Sequence, residues 1–296
     1  MESDFDFEAR LNNYDKDWCW QYNIRVETLK EDLLTLPSDI NVKELKVSDF
    51  TFRVLDTKEE REAAGRFIKR YEWLGKLAFN TTHYFGAYYR DILCGVITMG
   101  CPNAFSKCLG EDTSKYERLI SRGACISWSP KGLASHFMMW CIKWMVNNTQ
   151  FRVFTAYSDP AAKELGTIYQ ACSFYYLGNR FGATTRYVSP YSGKIISDRS
   201  FRVRSYYKRY AQDLGIEWDD SWSSGDKIHW DRMPQDVENR IRMYGKDMQR
   251  NAKKVMFPPK HKYAFVMGRG KIETNRLRKR FLEHTRVYAY PKKRGE

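Results

Sequence analysis

"FTAYSDPAAKELGTIYQACSFYYLG" spans Phe154–Gly178 and decides the fold. Its first five residues read as a buried strand that stops at Asp159-Pro160. Asp is a good helix N-cap and Pro suits the first helical position, so the pair predicts the start of a helix. A short helical stretch carrying Tyr169 follows, and "SFYYLG" resumes as an aromatic strand.

The flanking chain repeats this grammar. "FTFRVLD" (50–56) alternates like a strand, and "TKEEREAAGRFIKRYEWLG" (57–75) reads as a helix capped by Thr57 with acids in its first turn. "HYFGAYYRDILCGVITMG" (83–100) reads as a hairpin turning near Arg90-Asp91. "LISRGACIS" (119–127) is a further strand, followed by the turn "WSPKGLAS" and the apolar helix 136–148. The order predicts an α/β fold: a mixed, mostly antiparallel central sheet flanked by helices. The crossover from 119–127 to the Phe154 strand should be right-handed and parallel. Three segments follow: a polar, partly helical extension over 1–48, an α/β core over 49–198, and a basic, aromatic-rich extension over 199–296 packed on that core.

Charge is concentrated in the last segment. Residues 199–296 hold 25 Lys/Arg against 12 Asp/Glu, whereas 1–198 hold 25 against 24. Clustered cations gain affinity for polyanions by releasing counterions, so this third is the expected grip on the phosphates of a nucleic acid. Its densest part comprises Lys260, His261, Lys262, Arg269, Lys271, Arg276, Arg278, Lys279 and Arg280. No apolar run approaches the roughly 20 residues that span a bilayer, and the acidic start lacks an apolar signal core. Seven cysteines without a CxxC pair indicate neither a zinc site nor a disulfide framework, and fit reduced thiols in a cytoplasm.

The turn "SPKGLASHF" (129–137) sets Gly132 and Ala134 at a helix mouth after a strand, where backbone amides can approach a phosphate. GNAT acyltransferases hold the pyrophosphate of acyl-coenzyme A at such a turn. Their Arg/Gln-x-x-Gly-x-Gly/Ala pattern survives here as Gly132-Leu133-Ala134, with Ser129 in place of the leading residue. Lys131, Gly132, Leu133, Ala134 and Ser135 are the corresponding cofactor-binding candidates.

Tyr157, Asp159-Pro160, Gly166-Thr167-Ile168-Tyr169-Gln170 and Tyr176-Leu177-Gly178 closely resemble the signature stretch of the phage Mom DNA-modification family. "RLISRGACISWSPKGLAS", with Arg122 and Ser135, and "NTTHYFGAYYRDILCGVI" resemble further family segments, as does the "KHKYAFVMG…LRKRF…YPKK" tail. The resemblance covers roughly 80–190 and 258–293. It implies a GNAT-like fold that adds a carbamoylmethyl group to the exocyclic amine of adenine in double-stranded DNA. That would shield a phage genome from restriction in the cytoplasm of its bacterial host. The base must be flipped out of the duplex, and Tyr84, Tyr88, Tyr157 and Tyr176 are candidate pocket aromatics.

The implied catalytic set is Asp159, Tyr169, Arg122, Ser135 and Tyr84. Asp159 would accept a proton or hold the base edge, and Tyr169 would protonate the leaving group. Arg122 would orient a carboxylate or phosphate, and Ser135 would bond a phosphate or carbonyl. The donor is an acyl-CoA or another acyl or glycyl donor. Because acetyl transfer alone does not give a carbamoylmethyl group, His83, Tyr84 and Asp159 form a candidate Fe(II) site if the fold brings them together. Two other readings remain open at this level: a GNAT acyltransferase or aminoacyl transferase with another acceptor, and a non-catalytic basic DNA-binding protein.

Overall fold

The computed structural model describes residues 19–182, 185–225 and 227–292, so most of the first half of the expected 1–48 extension lies outside the described residues. In chain order the elements begin with α1 (Trp20–Leu34), β1 (Thr51–Val54), α2 (Lys58–Tyr71), β2 (Thr81–Tyr89) and β3 (Ile92–Gly100). Next come β4 (Glu117–Cys125), α3 (Leu133–Asn148), β5 (Val153–Ser158), α4 (Thr167–Ala171) and β6 (Tyr175–Tyr176). They continue with β7 (Thr185–Val188), β8 (Ile195–Ile196), α5 (Arg204–Asp213), β9 (Ser223–Ser224), β10 (Lys227–Ile228), α6 (Gln235–Asn251) and β11 (Lys254–Met256). The last two are β12 (His261–Val266) and α7 (Lys271–His284).

The main sheet runs β1-β2-β3-β4-β5-β12-β6. Among its described strands β4 and β5 are the one parallel pair, and α3 is their crossover; the other neighbours are antiparallel. This is the mixed, mostly antiparallel sheet with flanking helices that the sequence predicts. Alternation along β3 supplies both faces. Cys94 and Val96 pack with Phe67 and Ile68 of α2, whereas Ile97 and Met99 pack with Phe137, Cys141 and Met145 of α3. Helix α2 starts where expected. Thr57 Oγ1 accepts from the Glu60 amide at 3.2 Å, and the Glu60 carboxylate accepts from the Thr57 amide at 3.1 Å.

The division of the chain differs from the one expected. Among the described residues, 185–258 fall in one compact unit, and 19–182 with 259–292 form the other. The segment 261–266, read as part of a C-terminal extension, is β12, a central strand between β5 and β6 whose six residues are all buried. Within 185–258, β11, β7 and β8 make a small antiparallel sheet. Helices α5 and α6 share an aromatic cluster centred on Tyr210, with Trp222 and Ile241. A Cβ on Gly245 of α6 would lie 2.8 Å from the Tyr210 ring, so a glycine is needed there for close approach.

Candidate active site

Strands β4 and β5 pair only at one end, through Glu117–Val153, Arg118–Phe154 and Leu119–Thr155. Past Leu119, β4 pairs with β3 alone, and past Thr155, β5 pairs with β12 alone. The two strands therefore splay, leaving a wedge between neighbouring strands of one sheet. Buried Glu117 ties the closed end, accepting from the Ser106 amide and hydroxyl at 2.7 Å each and from Thr155 Oγ1 at 3.0 Å.

The open end collects the chemistry. On the β4 side Arg122 Nε donates to Lys76 O at 2.7 Å and lies 4.0 Å from Glu72 Oε2. Glu72 caps the end of α2, where its carboxylate accepts from the amides of Leu74 and Gly75 at 2.9 Å each. On the β5 side Asp159 Oδ1 accepts from the Ala161 amide at 3.0 Å, and Oδ2 sits 2.7 Å from Lys260 Nζ. Asp159 is thus engaged on both oxygens. Its backbone amide donates to Glu164 Oε2 at 3.1 Å.

Glu164 lies deep among protein atoms yet keeps part of its surface open. Burial pushes its carboxyl up to about 7; the Glu72 and Asp159 charges add to the rise, while the Asp159 amide and Lys260 oppose it. The Tyr169 hydroxyl is pushed up by burial first and then by the Glu164 and Glu72 carboxylates, with Arg122 opposing. These directions show that Glu164, Glu72, Arg122 and Tyr169 share one electrostatic neighbourhood.

Local geometry explains the "GTIYQ" motif. Gly166 has φ +68°, and a Cβ there would lie 2.5 Å from the Tyr263 ring. The turn into α4 thereby packs on β12, where the Tyr169 ring centroid lies 5.3 Å from that of Tyr263. Gln170 Nε2 donates to Leu165 O at 2.9 Å and holds the loop shut behind Glu164.

The structure brings Asp159, Tyr169 and Arg122 to this wedge, and adds Glu164, Glu72 and Lys260. Sequence reasoning misses Glu164, although it stands five residues after Asp159 in the same motif. Tyr84 is elsewhere. It faces α2 with Arg61 over its ring at 5.7 Å, and two strands separate β2 from β5.

The expected Fe(II) set does not form. Neighbouring strand residues point to opposite faces, so His83 stands among Phe85, Trp144 and Phe151 on the α3 side, away from Tyr84. Asp159 lies three strand spacings from β2, roughly 14 Å across the sheet. Among the described residues no group of three or more His, Cys, Asp or Glu could hold a metal ion.

The glycine turn over 129–132 lies between β4 and α3. Gly132 has φ +92° immediately before α3, whose first-turn amides have no intrahelical acceptor. Arg25 of α1 fixes the approach, donating to Ser127 O and Ser129 O at 2.7 Å each. Leu133 is a core residue, Ser135 Oγ donates to Gly132 O at 2.9 Å, and Lys131 is exposed. The Leu133 amide already donates to Pro130 O at 3.2 Å, so the amides of Ala134 and Ser135 with Lys131 are what fits a phosphate group; the Ser135 hydroxyl is turned inward.

Two of the expected phosphate contacts are buried instead. His261 is 1% exposed, bonds Tyr176 Oη through Nδ1 at 2.7 Å, and has its pKa lowered by burial. Lys262 is 4% exposed, with Nζ donating to Ser106 and lying 5.0 Å from the Phe181 ring centroid. Strand β12 is covered on both faces, so neither side chain reaches solvent. Arg269 and Arg278 reach the carbonyls of Val146 and Val266. Lys271, Arg276, Lys279 and Arg280 stand exposed on α7.

No helix among the described residues is long and apolar enough to cross a membrane. No curated protein matches the chain. Among solved structures it is similar to an acetyltransferase from Bacillus subtilis in complex with CoA. That match has 8% identity, 74% of this chain and 99% of that one covered, and a TM-score of 0.35. An N-acetyltransferase from Staphylococcus aureus Mu50 matches at 12% identity, 49% and 92% coverage and a TM-score of 0.34. Spermidine N-acetyltransferase from Vibrio cholerae matches at 12% identity, 46% and 86% coverage and 0.33. A family model matches over residues 52–280, well over half of the chain, and the chain belongs to the Mom protein family.

Proposed function

We propose that the protein is a DNA-modifying transferase that adds a carbamoylmethyl group to the exocyclic amine of adenine, within an infected bacterial cell. One observation carries the reading: at the open end of the β4–β5 wedge the Asp159 amide holds the Glu164 carboxylate at 3.1 Å, where burial pushes that carboxyl up to about 7. The adenine amine is a poor nucleophile because its lone pair is delocalised into the ring. It attacks only as its proton is taken, and a base that titrates near neutral pH suits that task. Glu164 is that acceptor. Asp159, held by Lys260, positions it through the backbone amide.

Tyr169 keeps its proton at neutral pH, because burial and the nearby carboxylates disfavour the phenolate, and so can donate to a leaving group. Arg122 is positioned to balance negative charge that develops in the wedge. The amides of Ala134 and Ser135 with Lys131 would hold the phosphate of the donor. A glycyl donor supplies the product's atoms: the amine displaces the leaving group at the glycyl carbonyl, Tyr169 protonates that group, and the N-glycyl adduct is an isomer of the carbamoylmethyl product, reached by exchanging the two nitrogens between carbonyl and methylene carbon. Exposed Lys271, Arg276, Lys279 and Arg280 on α7 contact the DNA backbone.

Mass spectrometry of nucleosides from plasmid DNA tests this reading. Expression of the protein in a bacterium should yield a deoxyadenosine heavier by one carbamoylmethyl group. Unmodified DNA from abundant, folded protein would overturn it.

A further inference from the structure

The chain after α7 returns to the free edge of β6. The Tyr288 amide donates to Tyr176 O at 2.9 Å, forming an antiparallel bridge, and Tyr290 Oη donates to Phe174 O at 2.6 Å. Between this segment and Gly178–Phe181 lies a cavity of about 550 Å³, within the size range of small-ligand sites. Tyr176, Phe181, Tyr288, Tyr290 and Pro291 are among its walls. The cavity is at the β6 edge and not in the β4–β5 wedge.

Tyr288 and Tyr290 remain 44% and 38% exposed, although both line a concave site. A Cβ at Gly178, where φ is +100°, would lie 3.4 Å from the Tyr288 ring, so the turn seats that ring closely. Arg180 is the charged residue of the lining and is exposed; the Arg286 guanidinium lies 5.0 Å from the Tyr288 ring centroid. Flat, partly exposed rings beside guanidinium groups suit a ligand with an aromatic face and flanking negative charge. The cleft also approaches the wedge: Phe181 lies 6.4 Å, ring to ring, from Tyr157, two residues before Asp159.

We propose that this cleft receives an unstacked nucleobase of a DNA strand against Tyr288 and Tyr290, with Arg180 on a flanking phosphate. The assignment rests on the DNA reading above. It gives the C-terminal segment a role apart from the general electrostatic grip of α7.

The test compares the affinity of the full chain for a short oligodeoxyadenylate with that for an abasic strand of equal length, at fixed low salt. The wild type should prefer the base-bearing strand by about 5- to 150-fold, the range of one base–aromatic stack. Tyr288→Ala and Tyr290→Ala should reduce that preference and leave abasic-strand affinity unchanged. Tyr288→Phe should keep it, and circular dichroism should show all variants folded. Equal affinity of the wild type for both strands, or a preference surviving both alanine changes, overturns the cleft assignment alone. Failure of both strands and of duplex DNA to bind overturns the DNA reading and the cleft together. Binding of free ADP as tight as the strand, abolished in Tyr288→Ala, would assign the cleft to a soluble nucleotide and overturn the proposal.

Discussion

Lys260 Nζ lies 2.7 Å from Asp159 Oδ2, joining the end of β5 to the residue just before β12. The pair fixes the turn that carries Glu164, because the Asp159 amide donates to the Glu164 carboxylate. Lys260→Met would leave a nearly buried carboxylate without its cation. The expected loss is about 1–3 kcal/mol of stability, between the values for surface and buried pairs. Adenine modification should fall at least tenfold. Thermal denaturation and nucleoside mass spectrometry check both.

Glu164 sets the pH dependence. Its carboxyl is raised from 4.5 to about 7 in the folded chain, so it is largely protonated below neutrality. Activity should rise with pH up to about 7 and level off above it. Stability should move the other way: the contribution is full below 4.5 and is lost as pH rises through 7. In Glu164→Gln both trends should disappear, the variant showing no base-limited activity rise and a flatter stability profile. Denaturation midpoints between pH 4.5 and 8 check the second point without any enzyme assay.

Gly166→Ala meets two penalties at once, a left-handed φ of +68° and a Cβ 2.5 Å from the Tyr263 ring. The expected cost is about 2–4 kcal/mol, from backbone strain together with overpacking. A urea titration of the variant reads it directly. Gly193, which also has positive φ but nothing within 4 Å, gives the control: Gly193→Ala should cost only about 1 kcal/mol.

Local signals make the strand–helix–strand unit legible in the sequence. The strand periodicity and the Thr57 cap lie within a few residues of what they specify, whereas Asp159-Pro160 caps only the 3-10 turn Pro160–Ala162, and the helix carrying Tyr169 starts separately at Thr167 behind Gly166. Glu164 is not legible, because one acid in a polar turn looks solvated. Its surroundings include Lys260, which is separated from it in sequence by the whole of 185–258. His261 and Lys262 mislead for a related reason: a basic stretch read as surface is a strand enclosed by β5 and β6. The expected metal set fails on pleating, since His83 and Tyr84 must face opposite ways.

Helix α7 carries four exposed cations, Lys271, Arg276, Lys279 and Arg280. Replacing Arg276, Lys279 and Arg280 together by alanine should weaken DNA binding across all sequences. The slope of log affinity against log salt should shrink by about 1 for each phosphate no longer neutralised. His261→Ala, buried against Tyr176, should leave that slope unchanged while lowering the melting temperature. Affinity measured at several salt concentrations separates the two.

The most direct measurement compares nucleosides from plasmid DNA of cells expressing the wild type, Glu164→Gln or Tyr169→Phe, with protein level, folding and DNA affinity matched. The account predicts a carbamoylmethylated deoxyadenosine in the wild type, at least about 100-fold less of it in Glu164→Gln, and a marked reduction in Tyr169→Phe. Wild-type levels of the modified base in Glu164→Gln would contradict the placement of the proton acceptor in the β4–β5 wedge.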